Sequence, residues 1–166
     1  MTNRKSIVIL FLLFSVFSSC SVPEKPSEQS PANLDTSTEK EKVKQTLVDM
    51  WDAIEKADMD RYASHIHPDF TSFGETAKKL RSGKEAEVKA IKEWVEEPTK
   101  VYTEMLEPEV TINGNVAWIT YYWSDSGTSK GEKFATRGKS TRIFVNERGK
   151  WLCIHGHYTL LEDDEK

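Results

Sequence analysis

Residues 141–159 read Thr141-Arg-Ile-Phe-Val-Asn-Glu-Arg-Gly-Lys-Trp-Leu-Cys-Ile-His-Gly-His-Tyr-Thr159. Two runs rich in β-branched and aromatic side chains flank Glu147-Arg148-Gly149, and Gly149 offers the positive φ that a tight hairpin needs. The stretch therefore reads as a β-hairpin. Its second arm gathers distinctive side chains, Trp151, Cys153, His155, His157 and Tyr158, which makes it the first candidate for the wall of a site.

Working upstream, Asn113-Gly114 is the strongest short hairpin signal in the chain, and it leads into a β-prone run from Val116 to Trp123. Val101 to Ile112 before it is strand-like but interrupted by Pro108, which marks an edge position or a bulge. The polar residues 124–133 read as a loop. Thr136 to Asn146 and Trp151 to Leu161 complete four antiparallel strands.

The period changes in the first half. Thr38 with Glu41 reads as a capping box, and Val43, Leu47, Met50, Trp51 and Ile54 recur on one helical stripe. Asp58 can cap a second, shorter helix carrying Met59, Tyr62, Ala63 and Ile66, which Pro68 ends. Phe70 to Phe73 is a short strand. Ser82 with Glu85 opens a third helix, with Val88, Ile91, Trp94 and Val95 on its apolar face and Pro98 at its close. Helices first and antiparallel strands afterwards define an α+β domain, a curved antiparallel sheet wrapped around three N-terminal helices.

The ends are of another character. Arg4 and Lys5 precede an apolar run from Ile7 to Phe17 that is short for a membrane span and ends in Phe17-Ser18-Ser19-Cys20. This is a secretory signal over residues 1–19. Small residues before a cysteine resemble the lipobox of bacterial lipoproteins, although Phe17 stands where leucine is usual. Cys20 is then the acylated first residue of the mature chain, a membrane anchor rather than a catalyst. An ordinary signal with an unmodified Cys20 is the alternative. Residues 20–37 are Ser-, Pro-, Glu- and Gln-rich and read as a disordered tether, residues 38–161 as one domain, and 162–166 as a charged tail. Ser21 rather than Asp after Cys20 favours the outer membrane, facing the periplasm, in a Gram-negative cell.

The 166 residues carry a net charge of −4 with acids and bases interspersed. No basic stripe follows a phosphate backbone, so nucleic acid is excluded as a partner. Cys20 and Cys153 alone build no disulfide framework. No motif asks for a cofactor.

The order of elements, Arg81-Ser82-Gly83 before the third helix, and the ending Gly149-Lys150-Trp151 with His155 and His157 resemble the SnoaL-like branch of the nuclear transport factor 2-like superfamily. The resemblance covers about Thr38 to Leu161. The ending is also similar to the association (hub) domain of calcium/calmodulin-dependent protein kinase II. It implies a cone-like fold, a pocket, and a homodimer through the sheet. It leaves function open, because one fold hosts isomerases, dehydratases, cyclases and binders. Ketosteroid isomerases of this fold use an Asp base, a Tyr and a protonated Asp; the matching positions are Gly74, Met50 and Thr141, and none supplies that chemistry.

The same alignment, with a period of two, places Trp118, Thr120, Tyr122 and Ser124 on the ligand-facing side of their strand. On the last strand it turns Ile154 and Tyr158 inward, and Trp151, Cys153, His155 and His157 outward toward a partner subunit. Whether Thr141 or Arg142 faces the pocket depends on the length of the turn at residues 147–149. The hub resemblance implies that Arg142 and Tyr158 line a central cavity. Met50 and Trp94 join the pocket from the helices; Trp51, Tyr62 and Trp94 could cradle a ligand, but aromatics at helical spacing read more simply as core.

His155 and His157 share a face at a spacing that a strand-borne metal site uses, without a third ligand at a defined spacing. They read more simply as a half-buried strand surface. Cys153 beside His155 suggests a thiol nucleophile and base, against the simpler reading of a small buried hydrophobe. His65 and His67 read as surface residues. Three functions stay open: a membrane-tethered, non-catalytic module binding a small, anionic molecule in an aromatic pocket; a dehydratase- or cyclase-type enzyme with Glu104 or a pocket His as base and Tyr122 or Tyr158 as donor; and a dimeric scaffold whose pocket is filled.

Overall fold

The computed structural model describes residues 36–75, 77–96 and 100–161. The signal segment, Cys20, the tether up to residue 35 and the charged tail lie outside the described residues. Three helices, α1 (Thr36–Glu55), α2 (Met59–Ser64) and α3 (Lys84–Glu96), combine with six strands: β1 (Ile66–Phe73), β2 (Arg81–Ser82), β3 (Lys100–Asn113), β4 (Val116–Ser129), β5 (Glu132–Glu147) and β6 (Lys150–Leu160). The strands form one curved, unclosed sheet in the order β2-β1-β6-β5-β4-β3. Neighbours run antiparallel except β1 and β6, which are parallel. The α+β class and the four-strand meander agree with the sequence reading.

Helix α1 carries Val43, Leu47, Met50 and Ile54 at helical spacing, and all four are buried against the sheet. It begins by Thr36, so Thr38 sits inside its first turn and does not cap it. Asp58 does cap α2, accepting the Arg61 N–H at 3.1 Å. That helix ends at Ser64, and the exposed Pro68 falls in β1 rather than at a helix end. Ser82 belongs to β2. The residue just before α3 is Gly83, at φ 92°, whose carbonyl accepts the Glu87 N–H at 3.2 Å.

The turns set the register. Arg148 and Gly149, at φ 53° and 85°, close a two-residue β5–β6 hairpin, since Glu147 pairs with Lys150. Residues 124–133 are not a loop: β4 and β5 continue to Ser129 and Glu132 around Lys130 and Gly131, at φ 53° and 86°. Both turns have the paired positive φ of a type I′ hairpin. Pro108 meets both expectations, because β3 is an edge strand with a bulge between Leu106 and Glu109 and Glu107 at φ 50°. The Thr103 N–H on that strand is capped by the Glu55 carboxylate at 2.8 Å, which covers part of the edge.

The facing of β4 differs from expectation by one residue. Ala117, Ile119, Tyr121, Trp123 and Asp125 are buried, whereas Trp118, Thr120 and Tyr122 are exposed on the opposite face. Cross-strand partners share a face, so the pairs Ile119–Arg142 and Tyr121–Ser140 carry Arg142 inward and leave Thr141 outward. On β6 a bulge interrupts the alternation: Ile143 pairs with His155 and Phe144 with Cys153, leaving Ile154 unpaired. Trp151 and Cys153 before the bulge are therefore buried, contrary to the outward expectation, while Tyr158 after it faces inward as expected.

Candidate ligand cavity

A cavity of about 430 Å³ opens between α1, α3 and the inner face of the sheet. Trp51 and Ile54 of α1, Ile91 and Trp94 of α3, and Phe134, Arg142 and Tyr158 of the sheet give it an aromatic and apolar lining. Three carboxyl groups, Glu75, Glu87 and Asp125, also reach it. A wider hollow of about 700 Å³ lies on the outer face, over Thr120, Tyr122, Lys139, Thr141 and His157. The inner cavity is the stronger ligand site, because helices roof it and three of its charged groups, Glu87, Asp125 and Arg142, are buried.

Arg142 is its most unusual residue, 2% exposed. Its guanidinium carbon stands 4.3 Å from the Tyr158 ring centroid and 5.8 Å from that of Trp51. Its Nη1 contacts the Cys153 sulfur at 3.9 Å, and its Nε has no hydrogen-bond partner. Among the described residues no carboxylate lies within ion-pair distance of it. Aromatic faces attract the cation but do not neutralise it, and a buried charge without a counter-ion is costly.

Glu87, 1% exposed, is by contrast fully engaged. Its carboxylate accepts from Tyr62 at 3.0 Å, Ser72 at 3.3 Å and Arg81 at 2.7 Å, tying α3 to α2, β1 and β2. Asp125 is 8% exposed, and its Oδ1 has no partner. Burial pushes the Asp125 carboxyl above its usual range; the nearby Thr103 hydroxyl, outside good hydrogen-bond geometry, pulls it partly back, and the Glu55 charge adds to the rise. Burial raises Glu75 as well, and the Asp125 charge raises it further. The Tyr158 hydroxyl is pushed well up by desolvation, against the pull of Arg142.

Of the residues expected in the pocket, Trp94, Arg142 and Tyr158 line the cavity. Met50 is buried in the core, and Ile154 is the half-buried bulge residue; neither lines it. Trp118, Thr120, Tyr122 and Thr141 belong to the other face. Glu104 is exposed and outside the cavity, so neither it nor Tyr122 can act there. The Cys153 thiol is pushed up by burial, with Arg142 opposing, and its Sγ–H points to the His155 carbonyl at 3.6 Å rather than to an imidazole. It is a buried thiol, not a nucleophile. The His155 ring meets Thr71 at 2.8 Å, and Phe73 packs against both His155 and His157. Among the described residues no group of three or more His, Cys, Asp or Glu could hold a metal ion. His65 and His67 are not surface residues: His65 meets Asp49 at 2.6 Å, and His67 meets Glu147 at 3.1 Å.

Asp125 was hidden because its segment reads as loop, and Glu75 because it lies between strands; yet Glu75 adjoins Gly74, the position matching the isomerase base.

Helices packed on one face of a curved, open sheet, with a cavity between, define the nuclear transport factor 2-like fold. Within it the chain belongs to the SnoaL-like domain family, whose pattern matches residues 43–161. A candidate dehydratase of the nuclear transport factor 2-like family from Streptomyces avermitilis is similar at 14% identity and a TM-score of 0.71, covering 76% of this chain and 99% of that one. The association domain of the Caenorhabditis elegans calcium/calmodulin-dependent kinase is similar at 23% identity and a TM-score of 0.63, covering 75% and 98%. A protein of unknown function from Pseudomonas putida KT2440 follows at 16% and 0.67, covering 78% and 91%. These likenesses concern the fold. Among curated protein sequences none matches the chain.

Proposed function

We propose that this domain is a membrane-tethered, non-catalytic receptor for a small organic anion with an apolar body. The observation that carries the reading is Arg142: a buried guanidinium without a counter-ion among the described residues, framed by Trp51 and Tyr158 in a cavity of about 430 Å³. A carboxylate or phosphate would supply the missing charge through paired N–H donors. The open cavity weighs against a scaffold with a filled pocket. Isothermal titration of purified full-length protein with short-chain carboxylates tests the reading, with Arg142→Gln as control. Binding lost in the variant supports it, and equal binding to both proteins removes it.

A second reading, an isomerase- or dehydratase-type enzyme, is favoured by the raised carboxyls of Asp125 and Glu75 in the same cavity. A carboxyl raised above its usual range is shifted in the direction that general acid–base catalysis uses. Solvent deuterium appearing next to the carbonyl of a bound ketone, and absent in Glu75→Gln, would select it.

Tethering rests on Cys20, and an envelope location, the outer membrane facing the periplasm in a Gram-negative cell, follows from it. Palmitate labelling that survives Cys20→Ala would overturn the anchor. Homodimerisation through the outer sheet face is supported by its exposed Tyr102, Leu106, Trp118 and Tyr122. Light scattering that finds a monomer at micromolar concentration would count against it.

A further inference from the structure

We propose that the ligand is elongated and bipolar, with an anionic head at Arg142 and a hydrogen-bond-donating head, an ammonium or hydroxyl, at Asp125 and Glu75. The inference deepens the reading of Arg142 as an anion site and rests on it. The cavity has two poles of opposite charge, with Arg142 and Asp125 buried and Glu75 more exposed beside Asp125, and each is incompletely satisfied: among the described residues Arg142 Nε and Asp125 Oδ1 both lack partners. They cannot satisfy one another. Asp125 pairs across the sheet with Thr136 and Ile119 with Arg142, so the poles stand six residues apart along β5. At about 3.3 Å per residue that is roughly 20 Å of strand, shortened by curvature and by the reach of the arginine. The rest of the lining includes the apolar side chains of Trp94, Ile91 and Phe134. A single small anion would occupy one pole and leave the other bare. A chain with a head at each end satisfies both.

Two further observations favour a donor at the second pole. Glu75 and Asp125 present acceptors and no basic partner: neither has an ion pair among the described residues. Burial holds the Asp125 carboxyl up, which raises the cost of leaving it ionised without a donor. A ligand ammonium would relieve that cost, and a hydroxyl would donate to Oδ1.

The test uses the purified full-length protein and three pairs of probes: hexanoate, octanoate and dodecanoate, and the same acids with a terminal amine. The expected result is that the longer amino acids bind about tenfold more tightly than the matching alkanoates, a difference of about 1.4 kcal/mol, while the shortest pair shows no preference. In the double variant Asp125→Asn, Glu75→Gln the preference should fall to within about twofold. Circular dichroism and a cooperative melting transition show that the variant is folded, and the comparison is made between the two probe series within it. Equal affinity for the two series at every length, or a preference unchanged in the double variant, overturns the bipolar ligand and leaves the anion site standing. Failure of both series to bind overturns the two together.

Discussion

The guanidinium of Arg142 lies 4.3 Å from the ring centroid of Tyr158, and this pair, rather than the histidines of the same hairpin, organises the cavity. The two residues come from neighbouring strands β5 and β6 and both face inward. The ring gives the cation partial compensation without neutralising it. A group kept in that state lowers stability in the empty protein and gains when an anion arrives.

Replacing Arg142 with Met should therefore separate stability from binding. The variant removes a buried uncompensated charge and keeps much of the volume, so its melting temperature should equal or exceed that of the wild type. Carboxylate affinity should fall at least about tenfold, the equivalent of one lost charge-assisted contact. Calorimetric melting and titration on the same samples check both halves. A large loss of stability would mean that Arg142 holds the fold rather than a ligand.

Gly156 stands beneath that pair. A Cβ at this position would lie 2.8 Å from the Tyr158 hydroxyl and 3.3 Å from Arg142 Nη1. Gly156→Ala should push the Tyr158 ring from its place under the guanidinium, costing about 1 to 3 kcal/mol of stability. Anion affinity should weaken in the same variant. Urea unfolding measures the first effect and titration the second; unchanged affinity would show that the Tyr158 position does not matter to the ligand.

Asp125 supplies a pH signature. Its folded-state carboxyl is raised above the ordinary 3.8, chiefly by burial, so the folded protein binds the proton more tightly than the unfolded chain. The slope is then negative: stability declines as pH rises from about 3.8 through the raised value. Asp125→Asn should melt above the wild type at pH 7, and the difference should vanish as pH approaches that lower limit. Melting curves across the acid range decide it. A variant that melts below the wild type at pH 7 would show that the ionised Asp125 is held by a partner.

The fold was legible because its signals are local. Gly114, at positive φ in the two-residue turn 114–115, and Arg148-Gly149 fix two hairpins by backbone chemistry, and the stripe Val43, Leu47, Met50 needs only a period. The site was less legible because it depends on which face each strand presents. On β4 both faces are aromatic, with Trp118 and Tyr122 against Tyr121 and Trp123, so alternation gives no contrast and a one-residue slip goes unnoticed. On β6 the bulge at Ile154 inverts the phase, and nothing in Cys-Ile-His announces it. Arg142 was open between two faces until the turn length was known. Asp125 escaped because Lys130-Gly131 within a polar stretch hides a hairpin as well as a loop would.

Trp151 shows what the inverted phase does for stability. Its indole N–H donates to the Glu39 carboxylate at 2.8 Å, and Lys42 holds the other oxygen at 2.6 Å, fastening the first turns of α1 to β6. Both groups are buried in the sense that matters, since Trp151 and Glu39 are each 3% exposed. Glu39→Ala should cost about 1 to 3 kcal/mol, because the indole N–H is left without an acceptor. The Lys42 hydrogen bond first, then that of Trp151, hold the Glu39 carboxyl below its ordinary 4.5. With a depressed folded value, the charged carboxylate stabilises above pH 4.5, and that contribution is lost as pH falls through the folded value. Glu39→Gln keeps an acceptor for the indole but not the charge, so its deficit relative to the wild type should be full at pH 7 and shrink below pH 4.5. Urea unfolding of the wild type and both variants at the two ends of that range checks the sign. A deficit that grows on acidification would mean that Lys42 and Trp151 do not act through the ionised form.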